Sequence, residues 1–212
     1  MNASELMRAR AKERHVTRRL PLIVTTLVLL STAAEAHTGI NTMRGFQHGF
    51  GHPFSGLDHL LAMVAVGLYA VSLGGRAMYL VPAAFVAMMA VGGAIGISAI
   101  ALPFVEIGIA VSVLVLGAAV ALRIPLSTVA AVALVGCFAV FHGHAHGAEL
   151  PLGASGFSYA VGFVVATALL HAVGIALGLS TRYATEQTAR TAAQAAGAAI
   201  ALAGVGLLFN LA

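Results

Sequence analysis

From residue 53 to its end, the chain is a succession of apolar stretches about twenty residues long, separated by short breaks marked by glycine, proline or arginine. A helix of about 20 residues crosses a hydrocarbon core roughly 30 Å thick. Six such segments can be placed, at about 53–73, 77–98, 102–122, 126–146, 157–179 and 190–211. The breaks fall at Gly74-Gly75-Arg76, around 101–103, at Arg123-Ile124-Pro125, at 147–156 and at 180–189. Helices are expected because every backbone polar group in lipid must be satisfied within its own segment. The expected fold class is therefore all-α, a polytopic membrane helix bundle of six transmembrane helices. Composition excludes the soluble alternative: 60% of residues are hydrophobic and 8% are charged, against roughly 25% charged in soluble domains.

The formal net charge of +4 at first hints at an anionic partner, but its location removes that reading. Six of the eleven basic residues (Arg8, Arg10, Lys12, Arg14, Arg18 and Arg19) precede a charge-free apolar run over 20–34. The small-residue sequence Ala34-Glu35-Ala36 follows. A basic region, an apolar core and an A-x-A site read as a secretory signal peptide over residues 1–36. The single transmembrane domain is then 37–212, starting at His37. It carries five bases against four acids, a net charge of +1, and offers no basis for nucleic-acid binding. Cleavage puts the mature N-terminus outside. Arg76, Arg123, Arg182 and Arg190 then fall at cytoplasmic loops or ends, and only Arg44 lies outside. That is the positive-inside pattern. The location expected is the cytoplasmic (inner) membrane, multi-pass, with both mature termini on the periplasmic side.

The lone cysteine, Cys137, allows no intramolecular disulfide and sits in an apolar run, where a free Cys behaves as a small buried hydrophobe. Gly92-x-x-x-Gly96 and Gly174-x-x-x-Gly178 offer close helix contacts, read here as packing.

The polar residues carry the functional case. The mature part holds eight histidines, and its only carboxylates before the last cytoplasmic loop are Asp58, Glu106 and Glu149. A charge near the bilayer centre costs on the order of 2.5–3.5 kcal/mol on insertion scales, so such groups face a cavity and act there. In the first cluster, His52-Pro-Phe-Ser-Gly-Leu-Asp58-His59, Pro53 suits the first turn of a helix. On that reading His59 returns to the face of His52 about 10 Å deeper. Asp58 can take an N–H from a ligating imidazole or bind the ion itself. The second cluster is Phe141-His142-Gly-His144-Ala-His146-Gly-Ala-Glu149. His142 and His146 share a helix face, and His144 points away from it if the helix is regular. Gly143, Gly147 and Pro151 make an unwound end plausible, which would let all three rings converge. Imidazoles with a carboxylate suit Zn, Ni, Co or Cu rather than Mg or Ca. Additional candidates are Glu106 near the outer end of the third segment, His37 as a new N-terminus, and His171. The last lies about 21 Å along the fifth helix, deep enough for a relay. His48 has no assigned role.

At these residues the sequence resembles the HupE/UreJ family of nickel-handling membrane proteins. The match rests on His52-Pro-Phe-Ser-Gly-Leu-Asp58-His59-Leu-Leu-Ala-Met63-x-x-Val66-Gly67 and on Phe141-His142-Gly143-His144-Ala145-His146-Gly147-x-Glu149. Signal, size and span number agree with it. The separate nickel/cobalt permease family spaces its His and Asp by four residues, where this chain has five. The resemblance implies passage of nickel or cobalt toward hydrogenase or urease maturation. It carries metal-binding roles to His52, Asp58, His59, His142, His144, His146 and Glu149.

The reading is a permease and not an enzyme. Its cargo is Ni2+ or Co2+, with no permanently bound cofactor. Its partners are the metal ion and the lipid bilayer, with a second copy of the chain or a metallochaperone as protein partners to test. Two other classes fit the same residues. One is a membrane zinc hydrolase using Ser55 and metal-activated water; the other is an accessory subunit that hands its ion to a partner.

Overall fold

The computed structural model describes residues 42–150 and 156–211; residues 1–36, read from the sequence as a signal, and His37 lie outside the described residues. Seven α-helices follow in order: α1 (Thr42–Ser55), α2 (Leu57–Leu73), α3 (Ala77–Ile97), α4 (Val105–Ala121), α5 (Thr128–Ala148), α6 (Gly156–Ser180) and α7 (Glu186–Asn210). A 3-10 turn, Thr181–Tyr183, joins α6 to α7, and no strand occurs among the described residues. Four helices (α3, α5, α6 with its 3-10 turn, and α7) are long and apolar enough to cross a membrane. α1 and α2 together make a fifth candidate, bent by 82°. α4 is apolar but shorter, at 17 residues.

The bend corrects the expectation for the first segment. Pro53 does not open the helix that carries His59; it lies in the last turn of α1. The helix stops at Gly56, whose backbone is extended at φ −102°, ψ 122°. Ser55 Oγ donates to the His52 carbonyl at 2.6 Å, closing the end of α1. α2 then starts afresh, with Asp58 Oδ1 accepting the His59 N–H at 2.8 Å. A carboxylate there satisfies one of the orphan donors of a first turn and complements the helix dipole. His52 and His59 therefore do not sit two turns apart on one face.

The remaining breaks fall where the sequence placed them. Gly74 and Gly75 take positive φ between α2 and α3, and Ser127 and Thr185 cap α5 and α7 through their hydroxyls. At the end of α5, however, the helix stays regular through Ala148. The unwinding expected near Gly143 and Gly147 does not occur before that point.

Packing explains why. A Cβ on Gly143 would overlap the Met89 carbonyl, and one on Gly147 would overlap the Gly93 carbonyl. These glycines are the contact surface of α5 on α3, answered from the other side by Gly92 against Val140 and Gly96 against His144. Gly67 and Gly174 do the same for α2 and α6, and Gly117 and Gly197 for α4 and α7. Close backbone approach replaces the hydrophobic driving force that lipid removes. The two small-residue motifs are thus intrachain contacts.

α2 is the central helix. Met63, Val66 and Tyr69 are fully buried within it, and Tyr69 donates its hydroxyl to the Ile124 carbonyl at 3.0 Å beyond α4. The periphery is apolar instead: Leu122, Val129, Phe157 and Phe209 are each more than 70% exposed. Large apolar side chains in such positions mark a surface solvated by acyl chains, so the molecule is a multi-pass membrane protein. Cys137 is part of that exposed surface and not of the core.

Candidate metal centre

Helix packing brings both histidine motifs to one end of the bundle, where α1, the start of α2 and the end of α5 meet. The His52 and His146 rings lie edge to face with centroids 4.6 Å apart. His146 meets His59 at 4.3 Å, and His59 meets His142 at 4.7 Å. Four imidazoles thus form a continuous series from the half-buried His52 to the fully buried His142. Phe163 packs on His146 with the rings tilted by 49° and centroids 4.1 Å apart. Beyond His142, Phe85 stands between it (5.5 Å) and His171 (5.2 Å).

Carboxylates surround the outer end of the series. His59 Nδ1 donates to Asp58 Oδ1 at 3.0 Å. His52 Nε2 and Glu149 Oε2 are 3.9 Å apart. His52, His146 and Glu149 each offer one ligand atom within 4.8 Å of the others. A cavity of about 200 Å³ opens among His52, Asp58, His59, Glu106, His146 and Glu149. Glu106, in the first turn of α4, is exposed and faces this same cavity.

His144 stands apart. Because α5 stays helical, His144 is carried to another side, where its Nε2 donates to the Ile100 carbonyl at 2.8 Å. The three rings of the second motif do not converge. His171 is buried on α6, below the series and separated from it by Phe85. Exposed His48, four residues before His52 on α1, makes no hydrogen bond or ring contact with these groups among the described residues.

The nitrogens that make no hydrogen bond to the protein define what the cluster can do. They include His59 Nε2, His142 Nδ1, both nitrogens of His146 and both of His171. Buried polar atoms are normally paired, and leaving one unpaired costs about 1–3 kcal/mol. Several unpaired imidazole lone pairs beside three carboxylates fit a borderline divalent cation, for which such donors are the preferred ligands. The carboxylates offset the charge that the imidazoles cannot.

Three residues of this region escaped sequence reasoning: Phe85, Phe163 and Ser112. The two phenylalanines carry no signal within apolar helices. Ser112 did carry one, being the single polar side chain of α4 besides Glu106.

These features define a class: a multi-pass helical membrane protein with a buried histidine cluster open to one end. The chain belongs to the HupE/UreJ family, whose model, described as HupE / UreJ protein, matches residues 25–207. It is similar to Protein HupE of Rhizobium leguminosarum bv. viciae, at 48% identity over 188 residues, covering 88% of this chain and 96% of that one. No solved structure matches the chain.

Proposed function

We propose that this protein is a permease for a divalent transition metal, nickel or cobalt, importing the ion across the cytoplasmic membrane for hydrogenase or urease maturation. The arrangement proposed is six spans after a cleaved signal over 1–36, with a single domain over 37–212 and both mature termini outside. In it the bent α1–α2 unit serves as the first span and α4 as a short third one. The observation that carries the reading is the unbroken series His52, His146, His59, His142, which starts at a carboxylate-lined cavity and runs inward. Family membership supports it.

The chemistry follows from the donors. Asp58, Glu106 and Glu149 concentrate the cation at the cavity and lower the cost of shedding its water. His52 and His146 with Glu149 form the entry site. Exchange of one imidazole for the next then moves the ion along the series. Imidazole and carboxylate hold nickel less firmly than thiolate would, and a transport site must release what it binds. His171 lies past Phe85 and serves as the inner acceptor. Ser55, needed by a hydrolase, has its hydroxyl committed to the His52 carbonyl, which favours transport over that alternative.

The test is uptake of radiolabelled nickel into proteoliposomes, with cobalt and zinc as competitors. Saturable uptake, competed best by cobalt, is the expected result. Nickel binding without uptake would replace the permease with a subunit that hands its ion to a partner. Tightly retained zinc without uptake would favour an enzyme.

A further inference from the structure

Ser112 sits in the middle of α4, fully buried, with its Oγ 2.6 Å from the Ile109 carbonyl and 2.8 Å from His142 Nε2. A serine hydroxyl has one hydrogen. The carbonyl can only accept, and two oxygens at 2.6 Å require a hydrogen between them. The Ser112 proton is therefore committed to Ile109. The contact to His142 then needs a hydrogen from the ring, so Nε2 is the protonated nitrogen. His142 is fully buried and its Nδ1 has no acceptor in the protein for a second ring proton. Its lone pair is left on Nδ1, in a ring packed edge-on against His59.

We infer that Ser112 is a positioning residue that locks His142 in its Nε2–H tautomer and presents Nδ1 as the metal donor. The inference rests on reading the cluster as a metal site. The neighbouring histidine is set by the opposite device: Asp58 accepts from His59 Nδ1, which leaves Nε2 as the donor. Adjacent rings of the series thus offer different nitrogens, each oriented by a partner on its far side. His146 has no such partner on either nitrogen, so its tautomer is free to change. An ion passing along the series meets two fixed donors with an adaptable one between His52 and His59. Partners of this kind typically contribute about 10- to 100-fold in metal affinity.

The experiment uses the full-length protein in nanodiscs with ring-15N-labelled histidine, free of metal, with His142 assigned from the signals lost in His142→Gln. The expected wild-type spectrum has a protonated Nε2 and an unprotonated Nδ1 at His142, and added Ni2+ removes the Nδ1 signal. In Ser112→Ala the two tautomers mix, and the nickel concentration that removes the His142 Nδ1 signal rises about 10- to 100-fold. His59 keeps its tautomer in that variant. A protonated Nδ1 at His142 in the wild type overturns the inference without any variant having to fold. So does Ser112→Ala in which that nickel concentration stays within twofold of wild type, or nickel that leaves His142 Nδ1 unperturbed in the wild type at saturation. Absence of any nickel binding to the wild type is failure of the metal-site reading itself. The metal-free spectrum still decides the tautomer in that case.

Discussion

Asp58 Oδ1 accepts two hydrogens from the same residue, the His59 ring N–H at 3.0 Å and the His59 backbone N–H at 2.8 Å. One carboxylate oxygen therefore starts α2, holds the ring in one orientation and fixes which nitrogen faces the cluster. The acid is also a counter-charge at the mouth of the cavity. Structure and proposed site depend on it together.

Replacement of Asp58 by Ala is expected to abolish nickel uptake while membrane abundance stays unchanged. The lost hydrogen bond from the His59 N–H costs about 1 kcal/mol, too little to unfold the bundle. Immunoblotting of membranes beside the uptake assay checks this, and uptake at the wild-type rate would remove Asp58 from the site.

His144 and His146 are two residues apart and are expected to behave differently. His146→Ala removes the ring shared by His52 and His59 and should weaken nickel binding at least tenfold. His144→Ala removes a ring bound to the Ile100 carbonyl and should leave affinity within about threefold, which is below 1 kcal/mol. Isothermal titration of the two variants settles the order. Equal losses would mean that the end of α5 unwinds when metal binds.

Gly143→Ala places a Cβ against the Met89 carbonyl and is expected to destabilise the α3–α5 pair by about 1–3 kcal/mol. Gly51→Ala, on α1, meets nothing within 4 Å and should leave the melting temperature in detergent unchanged or slightly raised. A Gly143→Ala protein as stable as wild type would show that the backbones do not approach as described.

Cys137 lies on the exposed surface of α5, away from the imidazole series. Cys137→Ser is expected to keep full nickel uptake. A loss of more than twofold would bring a thiolate into the path.

Much of this arrangement was legible in the sequence because lipid imposes its own rule. Apolar runs separated by Gly74-Gly75, Pro103 and Arg123-Ile124-Pro125 had to be helices, and α2, α3 and α4 end within a few residues of those marks. The bend at Gly56 was not legible, because Pro53 suits a helix start as well as the last turn before a stop. Gly143 and Gly147 misled for a related reason. Glycine weakens a helix in isolation, but here α3 packs directly on both and holds the helix in place. The candidate ligands His52, Asp58, His59, His142 and His146 were named from their motifs, yet the order in which the four imidazole rings touch is a tertiary fact. It depends on how α1 packs on α6 and α2 against α5. Ser112 was missed: its one signal was being a polar residue in an apolar helix, and its partner was invisible until α4 and α5 were side by side.

The most direct measurement is nickel uptake by proteoliposomes containing the His59→Ala protein, set against wild type at equal reconstitution. His59 is the ring that joins His146 to His142, so its loss interrupts the series while the outer group of His52, His146 and Glu149 remains. The account predicts that nickel still binds at the outer end and that uptake falls to the level of empty liposomes. Uptake by His59→Ala at the wild-type rate would contradict it.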